Sequence, residues 1–286
     1  MSTAVDRAVP SVAAPKIAVV MARPTSVLGV LVRRALLDNR RAPLLWGGPL
    51  GVMSALVVLL YPSIRGSLTQ TMDSFPAGLK SAFGISDLGT VEAFLNAEMF
   101  SLFLPLAVGY LTIRCVATAI AGAEENGYLD SILAAPVGRR VFVASAFLTA
   151  AILVAGTLLV VGALCAAGGL LVGEPLALGQ LAGALAGVWG LALFFAGCAT
   201  LASGLAHRAS LVIGAGAGLL GAMYLLDVLG KLAPAVSDLR WVSAFRYYGT
   251  PLTDGLDVTR LAVLVVAGGL LAAAGAVTHE RRDITG

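Results

Sequence analysis

Six stretches of this chain, each long enough to cross a lipid bilayer, carry almost no charge. The hydrocarbon core of a membrane is about 30 Å thick and a helix rises about 1.5 Å per residue, so about 20 mostly apolar residues span it. Windows of this kind lie at about 42–64, 99–121, 141–165, 181–204, 209–227 and 261–278. Only Arg114 interrupts one of them in its interior. The windows are continuous rather than alternating, which argues for helices and against the strands of a membrane barrel. The last two are short, so they borrow flanking residues or tilt little.

Composition closes the other classes. Apolar residues make up 58% of the 286 and charged residues 12%, about half the roughly 25% of soluble domains. So few charges cannot cover a soluble globule of this size, and an ordinary soluble enzyme, a disordered chain and a disulfide scaffold are all excluded. The expectation is an all-α membrane protein with six transmembrane helices. Cys115, Cys165 and Cys198 all sit inside apolar runs with no CxxC or Cys/His pairing, so they read as small buried hydrophobes. The net charge of +3 is small, and the arginines lie beside apolar segments rather than on one basic face. The partner this implies is the lipid bilayer, not nucleic acid.

Charge also sets the expected orientation. With the N-terminus inside, the inner segments 1–41, 124–140, 205–208 and 279–286 hold 12 Lys/Arg and the outer segments hold 6. That excess places both termini in the cytoplasm. The only apolar run near the start, 17–22, is too short for a secretory signal, so residues 1–24 read as a loose cytoplasmic tail preceding a 25–286 six-helix transmembrane domain. In 27–39, apolar Val27, Leu28, Val30, Leu31, Leu36 and Leu37 alternate with Arg33, Arg34 and Asp38. This reads as an amphipathic helix lying in the inner interface.

The outer segment 65–98 is too long for a bare turn and should hold short helices, with Pro76, Gly78 and Gly84 as breaks. The outer segment 227–260 carries Trp241, Tyr247 and Tyr248. Aromatics of this kind favour the membrane boundary, so a helix skirting or dipping into the outer leaflet is expected. Helices approach closely in lipid through small residues. Gly183/Gly187 and Gly214/Gly218, each four apart, are the candidate contacts, with Gly216, Gly221, Gly268, Gly269 and Gly275 in support.

The inner segment 124–140 is the most informative. Leu129, Ile132 and Leu133 are spaced i, i+3, i+4 and share one face of a short helix. Pro136 and Gly138 end it, and Arg139 and Arg140 mark the return to the membrane. Such a face either docks on another protein or packs on its own bundle; spacing alone leaves both open.

The run from Ala121 through Glu124, Glu125, Gly127, Tyr128 and Leu129 to Pro136 and Arg139 resembles the signature loop of type-2 ATP-binding-cassette (ABC) exporter permeases, roughly A-G-E-E-x-G-T-L-x-x-L-L-x-x-P-V-S-R. Other stretches agree in order. Trp46 with Tyr61-Pro62, Leu95 to Glu98 leading to Pro105, Trp241 to Tyr248 with Pro251 and Gly255, and the tail Arg281-Arg282-Asp283 all look like that family. Tyr128 stands where the family usually has Thr, Gly138 where it often has Ser, and Arg114 within the second span is atypical.

The resemblance implies the membrane half of an exporter. Two permease subunits, identical or different, would pair above two cytoplasmic ATPase subunits. Residues 124–135 would be the coupling helix seated on the ATPase, with Glu124, Glu125, Gly127, Tyr128, Leu129, Ile132, Leu133, Pro136 and Arg139 as the coupling site. ATP and Mg would belong to the partner ATPase, with no cofactor in this chain. One part of this has support from the residues themselves. A Walker A loop needs G-x-x-x-x-G-K-[ST], and none of Lys16, Lys80 and Lys231 sits in one. The high arginine, alanine and glycine content fits a GC-rich bacterial genome, hence a bacterial plasma membrane.

Single residues carry further expectations. Arg114 lies about 15 Å of helix before Glu124. It either snorkels to the headgroups or lines a transport path or helix interface. Glu98 and Asp227 read as solvated boundary charges, and His207 and His279 as interfacial residues rather than ligands. With two histidines and three scattered cysteines no metal constellation forms. The leading function is the permease of an ATP-driven exporter with a hydrophobic or amphipathic cargo such as a drug, antibiotic or lipid. The alternative is an ATP-independent secondary transporter, a class that usually shows internal repeats and midplane charges. A scaffold stays open as a third reading.

Overall fold

The computed structural model describes residues 24–72, 89–127 and 138–281. All regular structure among them is helical. In chain order it consists of α1 (Pro24–Asp38), α2 (Ala42–Met72), α3 (Val91–Glu125), α4 (Arg139–Val172), α5 (Leu178–Ser203), α6 (Ala209–Leu232), a 3-10 helix (Pro234–Val242), α7 (Ala244–Tyr248) and α8 (Val258–Arg281). Helices α2 to α6 and α8 are the six long and apolar enough to cross a membrane. They cover the six expected windows to within one residue, the fourth ending at Ser203 rather than at 204. Most run several residues further, because a helix ends at its caps and not where hydropathy falls. Helix α4, for example, runs on to Gly173, which adopts a left-handed conformation (φ 74°) and closes the last turn.

Helix α5 is the axis of the bundle: 67% of its apolar window is buried, against 17% for α6 and 22% for α8. Lipid tails are as apolar as leucine, so burial here reflects close packing rather than escape from water. The residues that permit it are glycines. A Cβ on Gly197 would collide with the backbone of Gly268, and one on Gly275 would lie 2.7 Å from the Thr200 carbonyl. Helices α5 and α8 therefore touch backbone to backbone. Helices α2 and α4 do much the same: a Cβ on Gly47 would lie 2.7 Å from the Thr157 carbonyl, and one on Gly168 would lie 3.3 Å from Ala55.

The expected glycine pairs fared unevenly. Gly268 and Gly275 are helix contacts, and Gly216 packs on Ile113. Gly214, Gly218, Gly221 and Gly269 face open space within 4 Å. Gly183 and Gly187 meet no span. They make room for Leu256, Pro251 and the Tyr248 ring, all in the connector between α6 and α8.

That connector departs from the expected interfacial helix. Trp241 does stay exposed, with the Arg246 guanidinium 3.7 Å over its ring. But α7 turns into the bundle and buries Ala244, Phe245 and Tyr248. The Ser243 hydroxyl donates to the Met223 carbonyl at 2.6 Å, and the Tyr248 hydroxyl donates to the Phe100 carbonyl at 2.9 Å. Phe100 lies in a π-helical stretch of α3 (Asn96–Phe103). Burial pushes the Tyr248 phenol well above its ordinary pKa, so it stays a donor through the neutral range. Helix α1 packs against α4, just ahead of the first apolar helix.

Candidate functional site

The segment read as a coupling helix leaves the bundle at the end of α3. Asn126 closes that helix by donating its side-chain amide to the Gly122 carbonyl at 2.7 Å. Gly127 follows with φ 68°, a left-handed conformation that a side chain would strain. The chain re-enters at Gly138, and α4 begins at Arg139. Tyr128, Leu129, Ile132, Leu133 and Pro136 lie outside the described residues, as do Pro76, Gly78 and Gly84 of the outer segment.

The two stems of this segment are tied to the same turn of α8. On the outgoing side, Glu124 Oε1 is 3.3 Å from His279 Nδ1, and its Oε2 is 3.4 Å from His207 Nδ1. On the returning side, Arg140 forms an ion pair and hydrogen bond with Glu280. His279 and Glu280 are consecutive. Glu125 reaches a third element, its Oε2 accepting the Ala209 N–H at 3.1 Å at the start of α6. A carboxylate there also faces the positive end of the helix dipole. Described residues from α3, α4, the α5–α6 loop, α6 and α8 thus converge at one end of the bundle.

Several expectations change here. His279 is not an interfacial residue: it is 3% exposed and packed against Glu124. Asp227 is not a solvated boundary charge. It is 5% exposed, with Lys231 Nζ at 2.7 Å and Arg240 Nε at 3.1 Å. The reason is the connector: the 3-10 helix folds Arg240 back over the end of α6, which nothing near Asp227 in sequence announces. Glu98 is exposed, as read, and His207 lies at the bundle end with 73% of its side chain exposed. Arg114 is exposed, with no ion pair among the described residues. The Thr118 hydroxyl donates to its carbonyl at 2.8 Å. Among the described residues no three His, Cys, Asp or Glu side chains are placed to hold a metal ion.

Glu124–His279 and Tyr248–Phe100 were missed in the sequence. Glu124 stood out as a loop residue and Tyr248 as an aromatic, but their partners lie some 150 residues away. No local spacing encodes such pairs.

Residues 12–279 match the family model described as the multidrug efflux system permease Rv1217c, C-terminal domain. The chain belongs to that family. No curated protein matches it. The permease family agrees with the six apolar helices, and it makes this a multi-pass membrane protein with a transport role. It also accords with the resemblance of the 121–139 run to ABC-type permease subunits. In this permease the region read as the signature loop is the one whose two stems are fastened to the last turn of α8.

Proposed function

We propose that this permease is the membrane-spanning subunit of an ATP-binding-cassette exporter that moves hydrophobic or amphipathic compounds out of a bacterial cell. The observation that carries the reading is the fastening of both stems of segment 128–137. Glu124 and Arg140 meet adjacent residues of α8, and Glu125 meets the start of α6. A push on a partner docked at this segment would reach α8 and α6 directly. In this reading Glu124 to Arg139 seat a separate ATPase subunit, which holds ATP and Mg. A second permease chain, the same or different, completes the complex. Both termini face the cytoplasm across the plasma membrane. Nucleotide then biases the bundle between two packings, inward-open and outward-open.

The test is co-purification in mild detergent. The intact chain should bring down a Walker-motif ATPase in about equal amount. Leu133→Asp, which places a charge on the apolar i, i+3, i+4 set Leu129, Ile132 and Leu133, should lose that partner while still inserting in the membrane. Retention of the ATPase by the variant would sink the docking assignment. Recovery of the chain alone, transporting in liposomes without ATP, would make it a secondary transporter.

A further inference from the structure

The chain has only two histidines, His207 and His279. They belong to different elements, the α5–α6 loop and the last turn of α8. Both bring Nδ1 to the same carboxylate. Glu124, at the end of α3, has His279 at 3.3 Å from Oε1 and His207 at 3.4 Å from Oε2. The Glu124 side chain keeps 15% of its exposure, so the carboxylate is largely removed from water.

Both separations are longer than the about 2.7–2.9 Å of a charge-assisted hydrogen bond, and Glu124 Oε2 is buried with no hydrogen-bond partner. Charge is therefore what joins these three groups. Among the described residues no arginine or lysine pairs with Glu124. A carboxylate so placed is balanced only when an imidazole beside it carries a proton. Histidine is the side chain whose ordinary value puts that change between about pH 5 and 8.

The other charged groups on the elements that meet here are Glu125 of α3, Arg208 of the loop, Arg139 and Arg140 of α4, and Glu280 and Arg281 of α8. Glu125 accepts the Ala209 N–H, and Arg140 pairs with Glu280. Carboxylates and guanidinium groups ordinarily hold their charge across that range. The ties of α3 to α6 and of α4 to α8 therefore persist at any pH within it. The tie of α3 to α8 does not, and the two helices share almost no other packing along their length.

We propose that Glu124, His207 and His279 form a pH-sensitive latch that fastens the end of α3 to α8 and to the α5–α6 loop. Protonated imidazoles hold the carboxylate, and neutral ones release it. The fastened state binds more protons than the released one, so it gains as pH falls and is lost as pH rises through the histidine range. The latch involves this chain alone and is the same whatever energises the permease.

Carbon-13 NMR of the purified chain, labelled only at histidine, tests this. Two imidazoles give two sets of ring signals, assigned with His207→Gln and His279→Gln. Both rings should change charge between about pH 5 and 8. Glu124→Gln should alter both titration curves, and His207→Gln should alter that of His279, because the acceptor is shared. Melting temperature gives a second readout. The native protein should exceed Glu124→Gln clearly at about pH 5.5, and the gap should at least halve by about pH 8. No other histidine contributes to that change. If Glu124→Gln does not fold, the response of His279 to His207→Gln, a change on an exposed side chain, decides. A His279 ring that keeps one charge state throughout, titration curves indifferent to these substitutions, or an equal gap at both pH values would each overturn the proposal.

Discussion

Tyr248 supplies the hydrogen bond that Pro105 withholds from Phe100. In the π-helical stretch of α3 the N–H of Leu104 bonds the carbonyl of Met99, five residues back. The next donor in that register, residue 105, is a proline with no N–H. The Phe100 carbonyl would be left bare in an apolar interior, and the Tyr248 hydroxyl, 2.9 Å away, fills the vacancy from a different part of the chain. Gly187 makes this possible, since a Cβ there would press on the Tyr248 ring at 3.3 Å.

Tyr248→Phe should therefore destabilise the fold by about 1–3 kcal/mol, the desolvation cost of an orphaned buried carbonyl. Thermal unfolding in detergent measures it. Pro105→Ala, made in the Tyr248→Phe background, restores an N–H at the position that faces Phe100. It should recover part of the loss, whereas in the native background it should not stabilise. Additive effects of the two changes would refute the coupling.

The contact of Glu124 with His279 makes a different prediction. His279→Ala removes a contact of the outgoing stem without touching residues 128–137 themselves. If the chain is the exporter subunit proposed above, a partner ATPase should still co-purify, but cargo should no longer stimulate its hydrolysis. Leu133→Asp should instead lose the partner outright. If His279→Ala and the native chain show the same stimulation, the stem is not part of the transmission path.

Helix contacts through glycine predict a sharp contrast between two alanine substitutions of equal size. Gly197→Ala places a methyl group into the backbone of Gly268 and should prevent assembly of α5 with α8, read as loss of a monodisperse folded species on size-exclusion chromatography. Gly214→Ala meets nothing within 4 Å and should leave the isolated subunit's stability unchanged or slightly raised, alanine being the better helix former by about 1 kcal/mol. A similar outcome for both would contradict the packing described.

Asp227 is the only carboxylate that Lys231 and Arg240 share at this corner among the described residues. Asp227→Asn leaves two partly buried cations facing each other and should lower stability by about 1–3 kcal/mol. Adding Arg240→Gln should relieve part of that. Denaturation midpoints of the two single variants and the double variant decide it, and strict additivity would show that the charges do not interact.

Much of this molecule was legible from residue order. A span depends on about 20 consecutive residues matching the thickness of one solvent, so all six appear in a window read along the chain. The return to the membrane at Arg139 was equally local, marked by Gly138 and the Arg139-Arg140 pair. The amphipathic α1 followed from a repeat within 13 residues.

What hydropathy could not supply is how each helix is rotated about its axis and which helices meet. Gly214 and Gly218 have the spacing of a contact and make none among the described residues, while Gly197, with no partner at that spacing, touches Gly268. In lipid every face of a span is apolar, so the outward and inward faces differ only in shape, and shape matching is settled once all the helices are present. The same holds for the polar groups. Asp227 became buried because a distant arginine folded over it, and His279 because α3 ends beside it. Chain chemistry sets which groups need partners. The tertiary arrangement sets which group, 13 or 155 residues away, is close enough to serve.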